Sequence, residues 1–375
     1  MSDYKITVTA ASGVEGIVKN ELKKLGFPAC RAIDGGITLD GTASDVAKLN
    51  MFLRCADRVY ITIASFRAET FNELFDGIAT LPLWEIFPFN AKILVNGKCR
   101  KSKLFAVSDC QSIVKKAVLT ALGRKYKRSF FPENGETYRV EFVISSDEAT
   151  IYLNTSGDGL HKRGWRDLVY EAPIKETLAC AMLELSDFSS ENPFCDPFCG
   201  SGTIIIEAAR KALGIAPGLD RSFDYQKWDF FDENAYKTAK EEALDGIKTD
   251  NNLHFYGSDI NPKAISLAVR HAARAGVKDK IHLQTMDVSD FRCSKKDGCI
   301  VTNPPYGERL LSAKEAAAVY SSLGKTWKSL DNWSLFVITS APNFEKSLGK
   351  KCDKNRKLYN SGLECRLYEY FKERK

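Results

Sequence analysis

Pro193-Phe194-Cys195-Asp196-Pro197-Phe198-Cys199-Gly200-Ser201-Gly202-Thr203 is the stretch that decides the fold. A short apolar run ends in an acid, and a turn with two glycines follows. A helical pattern then opens: Ile204, Ile205, Ala208, Ala209 and Ala212 recur at helical spacing, and Gly214 supplies the stop. Strand, glycine turn, helix is the geometry of a nucleotide-binding crevice. The glycines let backbone approach a ligand, and the helix start presents unpaired N–H groups. The third glycine of a dinucleotide fingerprint is absent, and no Gly-Lys-Ser/Thr closes the turn as in a P-loop.

Three more strand ends follow at the right intervals. Phe255–Asp259 reads as a strand ending in an acid, with Asn261 as N-cap and Pro262 at the first helical position. Ala264, Ile265, Ala268, Val269, Ala272 and Ala273 form the buried face of that helix, and Gly276 ends it. An acid at this strand end is where a doubly wound sheet holds ribose hydroxyls. Residues 280–287 give a third strand ending at Asp287, placed to accept from an adenine amine; Asp290 reads as solvated. Residues 298–302 give a fourth, followed by Asn303-Pro304-Pro305-Tyr306-Gly307-Glu308-Arg309. Two prolines fix two φ angles and offer no N–H to their neighbours. The Asn303 and Pro304 carbonyls, the Asn303 amide oxygen and the Tyr306 ring together suit a splayed-out base bearing an exocyclic amine. Asp196, Asp259, Asp287 and Asn303 thus fall along one carboxyl edge of an open α/β sheet.

The 375 residues predict two domains or slightly more, and a 44 % hydrophobic fraction supports real cores. No apolar run is long enough for a membrane span, and 1–5 lacks the apolar segment of a secretory signal. Eleven scattered cysteines without a Cys-x-x-Cys pair argue against zinc and for a reduced cytoplasm, so no metal is expected. The net charge is +6, yet 92–128 alone carries eleven Lys or Arg against one acid, Asp109, leaving −4 for the rest. Such a block is a phosphate-seeking surface.

The N-terminal order predicts a small ferredoxin-like α+β unit: strand 4–10, helix 13–25, strand 36–39, helix 43–52, strand 58–65. A helix at 70–81, a strand at 92–96, a long helix at 108–126 and strands at 138–144 and 149–154 come next. His161-Lys162-Arg163-Gly164-Trp165-Arg166 joins the halves, as an RNA-touching linker or as a structural hinge. Residues 214–252 exceed an ordinary loop and read as a helical cap inserted over the sheet, with Trp228, Phe230 and Phe231 in its core.

These motifs, in this order, resemble a class I S-adenosylmethionine-dependent methyltransferase acting on an exocyclic amine, and 172–179 resembles the segment closing over the cofactor's methionine end. The string 303–309, with His161–Arg166 and the tail Leu358-Tyr359-Asn360-Ser361-Gly362-Leu363-Glu364-Cys365-Arg366-Leu367, resembles the THUMP-containing RNA guanine-N2-methyltransferases of the bacterial RlmL type. Those enzymes modify 23S ribosomal RNA and often carry the label of N6-adenine-specific DNA methylases. The resemblance implies a Rossmann-like class I methyltransferase sheet at 161–375, with the insertion at about 214–252. Ahead of it, a ferredoxin-like unit at 1–65 and a THUMP RNA-binding domain at 66–160 are implied. It gives catalytic roles to Asn303, Pro304, Pro305 and Tyr306, with the Asn303 and Pro304 oxygens on the target amine and Tyr306 stacked on the base. S-adenosylmethionine would meet Lys175, Thr177, Asp196, Pro197, Phe198, Gly200, Ser201, Gly202, Thr203, Asp259, Ile260, Asp287, Val288 and Asn303. RNA contacts are expected at Lys98, Arg100, Lys101, Lys103, Lys115, Lys116, Arg124, Lys125, Lys127 and Arg128, and at Lys162, Arg163 and Arg166.

The partner expected is large-subunit ribosomal RNA, or tRNA as in archaeal and eukaryotic THUMP relatives. The protein would be a monomer, with a dimer as the alternative, and cytoplasmic. Adenine N6 in DNA is a rival target, and a non-catalytic RNA-binding module a rival class. The long fused form of these enzymes carries a second methyltransferase domain; none follows residue 375 here, so its activity is expected to be missing.

Overall fold

The computed structural model describes residues 4–33, 35–168, 173–249, 253–306, 312–360 and 362–373. Ala172, Gly307, Glu308, Arg309 and Ser361 lie outside the described residues. The N-terminal half runs β1 (Tyr4–Thr9), α1 (Glu15–Lys24), β2 (Arg31–Ile33), β3 (Gly36–Gly41), α2 (Ala43–Phe52), β4 (Arg58–Arg67), α3 (Phe71–Ala79), β5 (Lys92–Arg100), α4 (Val107–Tyr126), β6 (Thr137–Ser145) and β7 (Glu148–Asn154). Its strands make one seven-stranded sheet in the order β2-β3-β1-β4-β7-β6-β5. β4 pairs with β1 through Arg58 to Ile61 and with β7 as far as Arg67, so one sheet runs through both expected N-terminal units. Capping boxes start α2 (Thr42 with Asp45) and α3 (Thr70 with Glu73), each satisfying two otherwise orphaned N–H groups.

β6 buries Tyr138, Val140, Phe142 and Ile144. α4 covers this face with Cys110, Val114, Ala117, Val118, Ala121 and Leu122 turned inward. On edge strand β5, Ile93 and Cys99 point toward α4, and Cys99 Sγ lies 4.0 Å from Cys110 Sγ. Lys98 and Arg100 alternate with them and so stand on the opposite face of the sheet. The basic block therefore forms two surfaces with a sheet between them, where sequence adjacency suggested one.

The C-terminal half continues with α5 (Glu176–Leu185), β8 (Phe194–Asp196), α6 (Thr203–Ala212), α7 (Glu233–Asp245), β9 (Phe255–Asp259), α8 (Pro262–Arg274), β10 (His282–Thr285), β11 (Cys299–Thr302), α9 (Ala313–Lys328), β12 (Ser334–Thr339), α10 (Phe344–Leu348), β13 (Lys354–Asn360) and β14 (Leu363–Tyr370). The sheet order is β10-β9-β8-β11-β12-β14-β13; the first five are parallel, and β14 runs antiparallel to both neighbours. Both faces are covered, so the central strands β11 and β12 are buried along their whole length. Phe194, Phe255, Cys299 and Val301 pack with α5 and α6, while Cys195, Ile300, Leu335 and Val337 pack with Tyr320, Leu323 and Trp327 of α9.

The 214–252 insertion does not cap this sheet. It joins the two halves. Its Gly218 N–H donates to the Met51 carbonyl at 2.9 Å and its Tyr225 N–H to the Thr155 carbonyl at 3.2 Å. The Trp228 ring stacks on Tyr138 at 5.3 Å, Phe231 stacks on Tyr4 at 6.3 Å, and Lys48 of α2 pairs with Glu242 of α7 at 3.3 Å. Its rings do lie in a core, but a core shared with the N-terminal half. Among the described residues no helix is long and apolar enough to cross a membrane.

Candidate active site

The parallel order β10-β9-β8-β11 sets Asp287, Asp259, Asp196 and Asn303 side by side at the carboxyl ends of neighbouring strands. Asp259 links two of these ends. Its Oδ2 accepts the Gly200 N–H at 3.0 Å and its Oδ1 the Asn261 N–H at 2.9 Å. Each oxygen retains a second lone-pair direction, so the carboxylate is able to hold the turn and a ribose hydroxyl together. The Cys199 N–H on the Ser258 carbonyl at 2.9 Å ties the turn to β9.

Gly202 has φ +88°, and a Cβ there would sit 3.1 Å from both Ala268 Cβ and Ile206 Cδ1, so a larger residue would push α6 and α8 apart. Gly200, at φ +52°, is different: the place of its missing Cβ has no atom within 4 Å, which leaves room for a ligand against bare backbone. Beyond Asp259, Ile260 is 70 % exposed, an apolar surface beside polar strand ends. Asp287 caps the turn at Val288–Asp290 by accepting the Ser289 N–H at 2.8 Å. These features fit an adenosine-bearing ligand laid across the strand ends.

Of the residues expected around such a ligand, Lys175, Phe198, Gly200, Asp259, Ile260, Asp287 and Asn303 keep exposed surface. Thr177, Pro197, Ser201, Thr203 and Val288 are buried and shape the site from behind. Asp196 is also buried and presents no carboxylate to a ligand, which corrects its expected contact. Its Oδ1 accepts the Thr302 hydroxyl at 2.6 Å and the Phe198 N–H at 3.4 Å. Burial pushes this carboxyl up to about 7, against the opposing pull of the two hydrogen bonds. Asp196 thus braces the start of the glycine turn against the residue just before Asn303.

Asn303 carries the clearest chemical signal. Its Oδ1 is buried and has no hydrogen-bond partner. An orphaned acceptor of this kind costs free energy unless a ligand donor fills it. The prolines beside it are fixed: the Tyr320 hydroxyl donates to the Pro305 carbonyl at 3.0 Å. Tyr306 is held at its far end, its hydroxyl accepting from Asn360 Nδ2 at 3.0 Å and meeting Cys365 Sγ at 3.7 Å. Burial raises the Tyr306 phenol above its usual range, so it stays neutral.

Four supporting residues have no individual role that the sequence alone assigns. Thr302 reads only as the last residue of an apolar strand. Buried His271 donates from Nδ1 to the Ser201 carbonyl at 3.0 Å, and burial lowers its basicity, so a neutral imidazole supports the turn from below. The Tyr306 anchors Asn360 and Cys365 lie on the C-terminal hairpin, far along the chain.

Two expected RNA contacts are overturned. Arg163 is 2 % exposed. Its Nε pairs with Glu207 Oε1 at 3.3 Å, and its other nitrogens donate to the carbonyls of Leu160 at 2.8 Å and Arg54 at 2.5 Å. Arg166 turns inward, paired with Glu176 Oε1 at 3.3 Å and bonded to the Thr203 hydroxyl, at the first turns of α5 and α6. The segment 161–166 is a structural joint. Lys162 is exposed and pairs with Asp158 at 3.1 Å. Of the expected block, Lys98, Arg100, Lys101, Lys103, Lys116, Arg124, Lys125, Lys127 and Arg128 are exposed, whereas Lys115 is partly covered and paired with Glu133 at 2.8 Å.

Models of three families match the chain: an RlmL ferredoxin-like domain at 5–60, a THUMP domain at 68–154 and an RMKL-like methyltransferase domain at 163–369. The chain is 39 % identical over 373 residues to the Bacillus subtilis protein named "Putative RNA methyltransferase YpsC", covering 99 % of this chain and 97 % of that one. A Listeria monocytogenes structure, described as "a predicted N6-adenine-specific DNA methylase", is 40 % identical with a TM-score of 0.94, covering 100 % of this chain and 97 % of that one. The SMU.472 protein, crystallised with SAH, is 37 % identical with a TM-score of 0.93 over 100 % of both chains.

Proposed function

The chain belongs to the RMKL-like methyltransferase family, and on that premise we propose that it transfers a methyl group from S-adenosylmethionine to the exocyclic N2 amine of a guanine in 23S ribosomal RNA. The observation that carries this reading is the buried, unpartnered Oδ1 of Asn303 at the end of β11. It needs a donor, and an amine N–H is the donor that a Pro-Pro turn beside an aromatic ring accommodates.

S-adenosylmethionine, when bound, supplies a sulfonium-activated methyl group. The residues supply position. Asp259 and Asp287 hold the hydroxyl and amine groups of the adenosine, Ile260 covers its base, and the open backbone at Gly200 admits its methionyl part. Asn303 Oδ1 and the Pro304 carbonyl would accept hydrogen bonds from the two N–H groups of the target amine, which turns its lone pair outward, and the proton that the nitrogen loses on methylation would pass to water. Tyr306 holds the base against rotation. Alignment contributes most of the acceleration, so no strong base is required. The exposed cations of α4 engage the RNA phosphates.

The test is Asn303→Ala. In cells lacking the wild-type chain, this variant is expected to leave N2-methylguanosine absent from digests of 23S RNA, while RNA binding in vitro is retained. Restored N2-methylguanosine would remove Asn303 from the reaction. Loss of methylation in tRNA or of N6-methyladenine in DNA, with 23S RNA unchanged, would replace the target.

A further inference from the structure

Past β11 the carboxyl edge opens into a cavity of about 390 Å³ that the methyl transfer leaves without a role. Thr339 at the end of β12, Pro342, Glu345 of α10, Asn355 of β13, and Glu364 and Arg366 of β14 form its walls. One relay binds it to the Asn303–Tyr306 turn: Thr339 Oγ1 lies 3.3 Å from the Tyr320 hydroxyl, which in turn bonds the Pro305 carbonyl. On the opposite face of β14, the Cys365 side chain lies against the Tyr306 hydroxyl. Strands stand about 4.8 Å apart, so a site between β12 and β14 is roughly 5–10 Å from the end of β11. A base seated there cannot also place its amine on Asn303. The adjoining nucleotide of the same strand reaches it.

The walls carry both charges in a defined arrangement. Glu364 and Arg366 are two apart on β14, so they share a face at about 7 Å, the scale of two adjoining edges of one purine. Arg366 Nη1 donates to Asn355 Oδ1 at 2.9 Å, which orients the guanidinium and uses one of its donors. Glu364 pairs with Lys357 at 2.6 Å on the hairpin surface beside the cavity. Among the four bases, guanine offers a guanidinium the adjacent acceptors O6 and N7, and offers a carboxylate the adjacent donors N1–H and N2–H.

We infer that this cavity binds an unpaired guanine flanking the target nucleotide, with Arg366 on its O6/N7 edge and Glu364 on its N1/N2 edge. The inference rests on the RNA reading above, but its test is separable from it. Binding of GMP, AMP, CMP and UMP to the full chain is measured by saturation-transfer NMR, with binding of S-adenosylhomocysteine as the control for folding. GMP is expected to bind roughly tenfold tighter than AMP, and Arg366→Ala, Arg366→Lys and Glu364→Gln are each expected to weaken GMP roughly tenfold. S-adenosylhomocysteine affinity stays unchanged in all three. Asn303→Ala is expected to keep the GMP preference. Equal binding of GMP and AMP, or GMP binding indifferent to Arg366→Ala, overturns the inference. GMP binding lost in Asn303→Ala but kept in Arg366→Ala overturns it too, by placing the base in the methylation site and leaving the methylation reading intact.

Discussion

In the N-terminal sheet β6 and β7 bury every second residue, whereas in the C-terminal sheet β11 and β12 are buried along their whole length. The difference follows from the layers. Helices cover one face of the first sheet and both faces of the second. A one-sided sheet leaves a face free, so exposed cations are spread along strands and over helices, as Lys98 and Arg100 are on β5 and others are on α4. A two-sided sheet has only its strand ends, and the acids and amide of the second sheet gather there. Broad charge and local chemistry are thus divided between the halves by how each sheet is covered.

The sharpest way to break this comparison is to cut the joint that makes the halves one body. Arg163→Met leaves Glu207 charged and buried without its partner; it is expected to cost about 3–5 kcal/mol, read by urea unfolding. Adding Glu207→Met is expected to recover most of that loss. Two separate unfolding transitions in the wild-type chain would show instead that the sheets are independent.

A smaller effect probes the strand ends. The folded value of Asp196 lies above its unfolded one, so the folded chain keeps this proton longer and ionisation favours unfolding. The stability linked to this group is greatest below about pH 4 and falls as pH rises through about 7. Asp196→Asn is expected to flatten the fall by on the order of 1–3 kcal/mol in unfolding curves taken across that window. A parallel pH profile in the variant would mean that another group titrates there.

The smallest effects sharpen the division of the basic block. Changing Lys116, Lys125, Lys127 and Arg128 to Gln is expected to reduce the slope of log affinity against log salt by about 3, at roughly 0.7–0.9 for each phosphate no longer neutralised. Lys98→Gln with Arg100→Gln is expected to change it by less than about 1, because these residues stand on the other side of the sheet. Equal changes per charge would mean that the RNA wraps both faces.

Much of the second sheet was legible because its signals are local. Asp196, Asp259 and Asn303 each end a strand run with glycine, proline or an N-cap within a few residues, and Asp287 ends an alternating one. The first sheet's helices were equally readable from period and caps. β2 was not: three exposed residues carry no periodicity. β13 was hidden by its charge, since only Leu358 along it is fully buried. The burial of Arg163 could not be read because its partner Glu207 is 44 positions away and an arginine between polar neighbours looks like surface. The insertion misled for a related reason. Ala235, Ala239 and Ala243 show that α7 buries a stripe, but not that α2 lies against it. The split of the basic block, by contrast, was open to inspection, since Lys98 and Arg100 differ in parity from Ile93 and Cys99.

Arg221 closes the joint by donating to four carbonyls of one loop, those of Ser156, Asp158, Gly159 and Lys162, at 2.7–3.0 Å. A guanidinium gripping one loop at four points in this way removes the hinge from between the halves. The span from α4 to Asn303 is then a constant of the molecule, and the protein becomes a caliper. On the proposed reading, the substrate such a caliper selects is an RNA whose own tertiary fold holds a phosphate ridge and an unpaired base at that separation, in preference to a short unstructured strand carrying the same bases.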